Sequence, residues 1–366
     1  MIVDCHAHVF QHWAGPAGHP DRLTHARYQQ RMLAGTSADS FRARDGARAD
    51  RKALLDPSDV SWKGLRDVSF RVGMFGRLEF TVDDEDYYVQ YMPVGMQQME
   101  APPELMLAQM TYAAVDHAVL QAGGAYGAMT DYNAFTQAQY PAKFTALANL
   151  DEALAWEPSR LAHLERVAGE GVKGIYFNFE GLARDGFSTP IDAPKFEPLW
   201  HCLQSKRLVL CAEISAGPTY DVGGYLRNIF ALRNVLDRFP GIPCHVAMGV
   251  PVGFFARDGC WQLPPELEAF YRGDHVSLEI MFPIAWGGVW DYPYKEAHPL
   301  IRDLRDRLGA EKLLWGSDMP NLERFCTYRQ SLHYVQRYCD FLSPSDMDRI
   351  LGGNAARLYR IGATSH

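Results

Sequence analysis

Residues 1–10 read MIVDCHAHVF, and the stretch VDCHAHV (3–9) decides how the rest of the chain is read. His6 and His8 stand two apart inside an apolar segment at the start of the sequence. In an extended strand, residues i and i+2 project from the same face. Two imidazoles leaving one face side by side suit a divalent metal, but they also suit a pair of partly buried structural histidines. The rest of the sequence has to separate these readings.

Seven more short apolar runs follow: DHAVLQAG (116–123), KFTALANLD (143–151), GVKGIYFNF (171–179), RLVLCAEIS (207–215), IPCHVAMGV (242–250), HVSLEIMF (275–282) and EKLLWGSDM (311–319). Helical patterns lie between them, including ELMLAQMTYAAV, PSRLAHLERVAGE, PKFEPLWHCLQSK, GGYLRNIFALRNVLDRFP and PLIRDLRDRLG. The chain closes on SPSDMDRILGGNAARLYRI, with Ser343 as N-cap and Pro344 at the first helical position. Strands that alternate with helices argue for a parallel sheet of the α/β class, and eight strands close a (β/α)8 TIM barrel. With 366 residues the chain fits one such barrel over 1–366 carrying an insertion. That insertion is residues 11–105, which interrupt the alternation directly after the first strand. They hold DRLTHARYQQRMLAG, a polar Arg/Asp-rich stretch, and GRLEFTVDDEDYYVQYMP, which alternates like a strand or hairpin. The segment is too long for a βα loop. It is expected to act as a lid, a peripheral subdomain or an oligomer contact.

Bulk properties limit the partners. There are 36 basic and 44 acidic residues, a net charge of −8 and no Lys/Arg run, so a nucleic-acid or anionic-membrane surface is not expected. No apolar window is long enough for a membrane span. A strand directly after Met1 leaves no room for a signal peptide. The 7 cysteines, none in a CxxC pair, read as reduced thiols in a cytoplasmic protein.

In a barrel of this type, catalytic groups stand at the C-terminal ends of the strands. His6 and His8 end the first, and LLWGSDMPN delivers Asp318 to the tip of the eighth. A carboxylate in an apolar run needs a partner or a cation, or it caps the following loop. First and last strands are neighbours in a closed barrel, so two imidazoles and a carboxylate converge. On the fifth strand, Val209, Cys211 and Glu213 share a face, which puts Glu213 at the tip as a metal-site residue or one half of a salt bridge. His245, early in the sixth strand, either reaches the site from below or is a core histidine. His117 begins the second strand at the opposite end and reads as structural. His12, His19 and His25 lie in the insertion, where they could line a lid. Glu279 lies within the seventh strand. The aromatic run FPIAWGGVWDYPY after it walls a pocket for a flat or small organic substrate, or packs a loop. Arg71, Arg77 and Tyr88 are carboxylate-binding candidates or ordinary surface.

VDCHAHVF, AAVDHAVLQAG, RNVLDRFPGIP, LLWGSDMP and ILGGNAARLYRI, in this order, resemble the amidohydrolase-related family, the branch of the amidohydrolase superfamily typified by aminocarboxymuconate semialdehyde decarboxylase. The resemblance spans nearly the whole chain apart from the insertion. It implies one divalent metal, usually zinc, with His6 and His8 as ligands and Asp318 as a ligand or proton carrier. The family also places histidines at the tips of strands five and six. Here Glu213, or its neighbour Ala212, holds the first position and Ala247 or Met248 the second. Glu213 is expected to replace the missing ligand, which also brings Mn2+ or Fe2+ into consideration. His245 is the available stand-in for the other, in a catalytic role beside Asp318. The function implied is a metal-dependent hydrolase or non-oxidative decarboxylase acting on a small organic substrate, with or without a carboxylate. An alternative is a subunit of an amidohydrolase-related dinuclear-iron oxygenase, either catalytic or a non-catalytic zinc-binding structural partner. A homo-oligomer, or a hetero-oligomer with a related subunit, is expected.

Overall fold

The computed structural model describes residues 1–36, 38–49, 51–257, 260–281 and 290–362. Eight parallel strands form one sheet in chain order: β1 (Val3–Ala7), β2 (His117–Leu120), β3 (Phe144–Asn149), β4 (Gly174–Asn178), β5 (Val209–Glu213), β6 (Cys244–Ala247), β7 (Val276–Ile280) and β8 (Leu313–Trp315). Each falls within one of the eight apolar runs. The sheet curls into a nearly closed barrel just past the end of β8. There Ala7 bridges Met319, His8 N donates to Met319 O at 2.8 Å, and Asp318 N donates to His6 O at 2.8 Å. Strands covered on both faces read as continuous hydrophobic runs, which is why they were legible.

Helices cover the outside, among them Pro103–Ala113, Pro158–Gly169, Glu197–Lys206, Val222–Arg238 and His298–Leu308. Val222–Arg238 buries Tyr225, Ile229, Leu232 and Val235 at helical spacing against the strands. Inside the barrel, Val3, Cys5, Val119, Leu147, Val209, Cys211 and Leu314 pack together, and Ala355 and Tyr359 of the last helix close the N-terminal end. The closing segment is not the single helix its pattern implies. Helix Pro344–Asp348, capped by Ser343, passes through a wide turn at Arg349–Gly353 before helix Asn354–Tyr359. At Gly352 an added Cβ would lie 2.1 Å from Met1 O. Among the described residues, no helix is long and apolar enough to cross a membrane.

The insertion folds into helix Arg22–Gly35 and a five-stranded antiparallel sheet. Its hairpin, Arg77–Val82 with Glu85–Gln90, turns on Asp83 and Asp84, both left-handed at φ 50° and 61°, as a two-residue type I′ loop requires. Trp13, Leu33, Leu54, Phe80 and Met92 form a core continuous with Tyr126 and Met129 of the segment after β2.

Candidate active site

The site begins with an irregularity in β1. Cys5 Sγ donates to Glu279 Oε1 at 3.6 Å, and the next residue, His6, meets Glu279 Oε2 through Nδ1 at 3.1 Å. Successive residues of a regular strand point oppositely, so the two could not share one partner. The pairing of β1 with β2 shifts register between Asp4 and Ala7, and this turns His6 inward. Asp4 fixes the shift. Its Oδ1 accepts from His6 N and Ser317 N, both at 3.0 Å, and its Oδ2 accepts from Ser317 Oγ at 2.5 Å and Tyr328 OH at 2.7 Å. Burial pushes the Asp4 carboxyl up to about 6 against the pull of these hydrogen bonds.

His8 turns its Nδ1 to Gln121 O at 2.8 Å and stacks on Tyr126 at a centroid distance of 4.2 Å. With both Nδ1 atoms engaged, each imidazole presents Nε2. Asp318 Oδ1 lies 2.8 Å from His8 Nε2 and 3.9 Å from His6 Nε2. Its other oxygen accepts from Asn321 Nδ2 at 2.8 Å, and its backbone is left-handed at φ 61°, a conformation that persists only where surrounding contacts enforce it. His6, His8 and Asp318 each offer a ligand atom within 4.8 Å of the others. Burial alone would raise the Asp318 carboxyl, but the His8 hydrogen bond and both imidazoles hold it below its ordinary value. Burial likewise opposes a charge on His6, yet Glu279 and Asp318 lift its pKa to about 9. Buried carboxylates that favour a cation between them, and imidazoles anchored through their far nitrogens, fit a divalent metal.

These groups open onto a cavity of about 800 Å³. Glu213 lines it from the tip of β5, on the face shared with Val209 and Cys211. Among the described residues it makes no salt bridge. Tyr176 OH and Asn178 Nδ2, the latter at 2.6 Å, donate to its Oε2. It stands outside the His6–His8–Asp318 cluster, so ligation would require its side chain to turn. Burial pushes its carboxyl up.

His245 does not line the cavity. It is enclosed in the barrel, with Nδ1 2.7 Å from Tyr359 OH and 3.4 Å from Cys211 Sγ, and Nε2 3.8 Å from Glu279. A substrate in the cavity does not reach it, so the role open to it is support of Glu279. His25 ties two carbonyls, Gly15 O and Ala125 O, and His19 meets Gly124 O, so both fasten the insertion and neither lines the cavity. His12 is exposed. His117 is held by Thr145 and Ala142 O at the far end, as expected. Arg71 pairs with Glu79 and Asp86, and Arg77 lies over the Tyr88 ring, all away from the cavity. Most of the aromatic run after β7 falls outside the described residues.

Sequence reasoning gave no role to Glu279, which holds His6 from behind, or to three residues that line the cavity. Glu279 is fully buried in β7, and its signal was the lone carboxylate inside VSLEIMF. Glu152 and Glu180 follow β3 and β4, and Arg324 follows Asp318. The insertion contributes Tyr28, Arg31, Trp62, Gln90 and Tyr91 to the same wall.

A family model described as Amidohydrolase matches residues 3–361. L-fucono-1,5-lactonase of Burkholderia ambifaria is 28% identical over 213 residues, covering 57% of this chain and 67% of that protein. Among solved structures, a probable 2-pyrone-4,6-dicarboxylic acid hydrolase from Acinetobacter baumannii superposes with a TM-score of 0.54 at 16% identity, over 72% of this chain and 90% of that one. The 5-carboxyvanillate decarboxylase of Sphingomonas paucimobilis gives 0.51 at 18% identity, over 72% and 84%. At such identities these structures speak for the shared barrel. The family match over nearly the whole length, on a barrel that gathers HxH and Asp318, shows that this chain belongs to the amidohydrolase family and is an enzyme of that superfamily.

Proposed function

We propose that the chain is a metal-dependent hydrolase that opens a cyclic ester of a neutral, hydroxyl-rich organic acid, a sugar lactone in chemical class. The observation that carries this reading is the lining of the cavity, rich in carboxyl groups and poor in free cations. Asp39, Glu152, Glu180, Glu213 and Asp318 line it against two arginines, Arg31 and Arg324, and Arg31 is spent on Glu180 at 2.7 Å. An aromatic acid or dicarboxylate entering for decarboxylation would find, among the described cavity residues, only one guanidinium without an ion pair, that of Arg324. Hydroxyl groups find acceptors in the carboxylates and a donor in Asn178. The rings of Tyr28, Trp62, Tyr91 and Tyr176 offer apolar faces for the flat side of a cyclic sugar. The lactonase relative agrees with this chemistry.

His6, His8 and Asp318 would hold the ion, with Glu279 and Gln121 O fixing the imidazoles. A divalent ion supplies a Lewis acid for the ester carbonyl and lowers the pKa of water toward about 7. Zinc is the first choice for a set of two imidazoles and a carboxylate, with manganese or iron accepted. Asp318, held ionised, takes the proton of the attacking water. Glu213, Asn178 and Glu180 orient the ring hydroxyls, and the insertion roofs the cavity and limits bulk water.

The test is a paired assay of the purified chain: proton release from neutral sugar 1,5-lactones, and CO2 release from hydroxybenzoates. Lactone opening that disappears after chelation and returns with zinc is expected. CO2 release with no lactone opening would overturn the reading in favour of the decarboxylases.

A further inference from the structure

A second cavity, of about 470 Å³, lies at the opposite end of the barrel, where strands β5 to β8 begin. Arg207, Lys312, Arg357 and Arg360 line it, against Asp274 and Glu311. In a chain with a net charge of −8, a cavity with surplus positive charge is against the average. Arg357 donates to Glu311 O and Asn354 Oδ1, and Lys312 to Gly273 O, but the other two arginines are poorly partnered. Among the described residues, the Arg207 and Arg360 guanidinium groups have neither an ion pair nor a protein hydrogen-bond acceptor, and Arg360 Nε is buried with no partner. A buried N–H left unpaired costs about 1–3 kcal/mol, more when charged. Both arginines sit just past the end of a helix in left-handed backbone, φ 54° and 56°. Glycine or asparagine is usual there. A cation near a helix C-terminus is favoured by its dipole, but that does not account for side chains gathered into a hollow and left without acceptors.

We propose that this cavity binds a compact polyanion, a phosphate- or polycarboxylate-bearing small molecule gripped by Arg207, Lys312, Arg357 and Arg360. Guanidinium groups match phosphate and carboxylate oxygens in a bidentate manner. The site stands apart from the catalytic cavity and does not depend on the lactonase reading.

Isothermal titration of the full chain, stripped of metal, with inorganic pyrophosphate and separately with citrate tests it. One-to-one binding is expected with at least one of them, and the tighter shows whether phosphate or carboxylate is preferred. Arg207→Gln and Arg360→Gln should each weaken it tenfold or more. The exposed Arg207 keeps the test usable if Arg360→Gln fails to fold. A chain with His6→Ala and His8→Ala should bind unchanged. Binding of neither anion, binding that survives both arginine changes in folded protein, or binding lost with the two histidines would overturn the proposal.

Discussion

A Cβ built on Gly316 would lie 1.7 Å from Glu279 Oε1 and 2.9 Å from His6 Cβ. The close approach of β8 to β1 therefore leaves no room for a methyl group where Glu279 holds His6. Gly316→Ala should displace that carboxylate and lower metal affinity by about tenfold or more, and Glu279→Gln, with its shape kept, by about 10–100-fold. Metal titration with circular dichroism as a fold control checks both; unchanged affinity in the Gln variant would mean His6 is oriented without Glu279. For Glu213→Gln the expectation differs. Its Oε2 is already engaged by Tyr176 and Asn178, so metal content should hold while KM for a hydroxylated substrate rises roughly tenfold, the loss of about 1.4 kcal/mol of charged hydrogen bonding. A drop in metal stoichiometry would make Glu213 a ligand after all. These residues also mark what was readable in advance. Asp318 announced itself because GSDMP ends an apolar run at a strand tip. Glu279 carried the same signal within its strand, but alternation could not say that a shifted β1 would present His6 to it. The early position of His245 in its strand left two readings, reach from below or burial in the core, and spacing could not choose between them, since that depends on where β6 starts relative to β5.

At the scale of elements, the barrel was legible because each buried parallel strand is a bounded apolar run, and the spacing of eight of them leaves little choice of topology. The insertion was legible only as an interruption. Its helix Arg22–Gly35 has polar residues on its buried side, including Gln29, Gln30 and Arg31, so no apolar stripe marks it. The break at Arg349–Gly353 packs against Met1, at the other end of the chain, and local pattern cannot show that contact. The hairpin 77–90 was legible, yet its turn departs from the residues such turns prefer. Asp83 and Asp84 both occupy left-handed backbone, a cost of about 1 kcal/mol for a non-glycine residue. Asp84→Gly should recover roughly 0.5 kcal/mol after its extra unfolded-state entropy. Slower amide exchange across 77–90 and a higher urea midpoint for the insertion are the expected readouts. A lower midpoint would mean that the Asp84 side chain, and not its backbone conformation, holds the turn.

For the whole molecule, charge is unevenly placed: carboxylates crowd the catalytic cavity, while cations gather at the other end of the barrel. The acid side has a consequence for stability. Glu152 is 1% exposed, and among the described residues its Oε2 has no hydrogen-bond partner, while its Oε1 accepts from Asn178 N at 3.2 Å. Burial pushes its carboxyl from an ordinary 4.5 up to about 8. Below the lower value the group is protonated in the folded and unfolded chain alike and contributes nothing to pH dependence. Between the two values the unfolded chain has released a proton that the folded chain retains, so unfolding gains with each step in pH, by up to about 1.4 kcal/mol per unit. Above about 8 both forms are ionised and the loss levels off, at a total on the order of a few kcal/mol. Glu152→Gln keeps the volume and cannot ionise. Relative to this variant, the parent should lose stability steadily as pH rises from about 5 to 8 and hold a constant offset beyond. Thermal melts of the two proteins across that window measure the difference directly. Parallel curves would show that Glu152 is ionised in the folded protein, with a cation beside it that offsets the cost of burial.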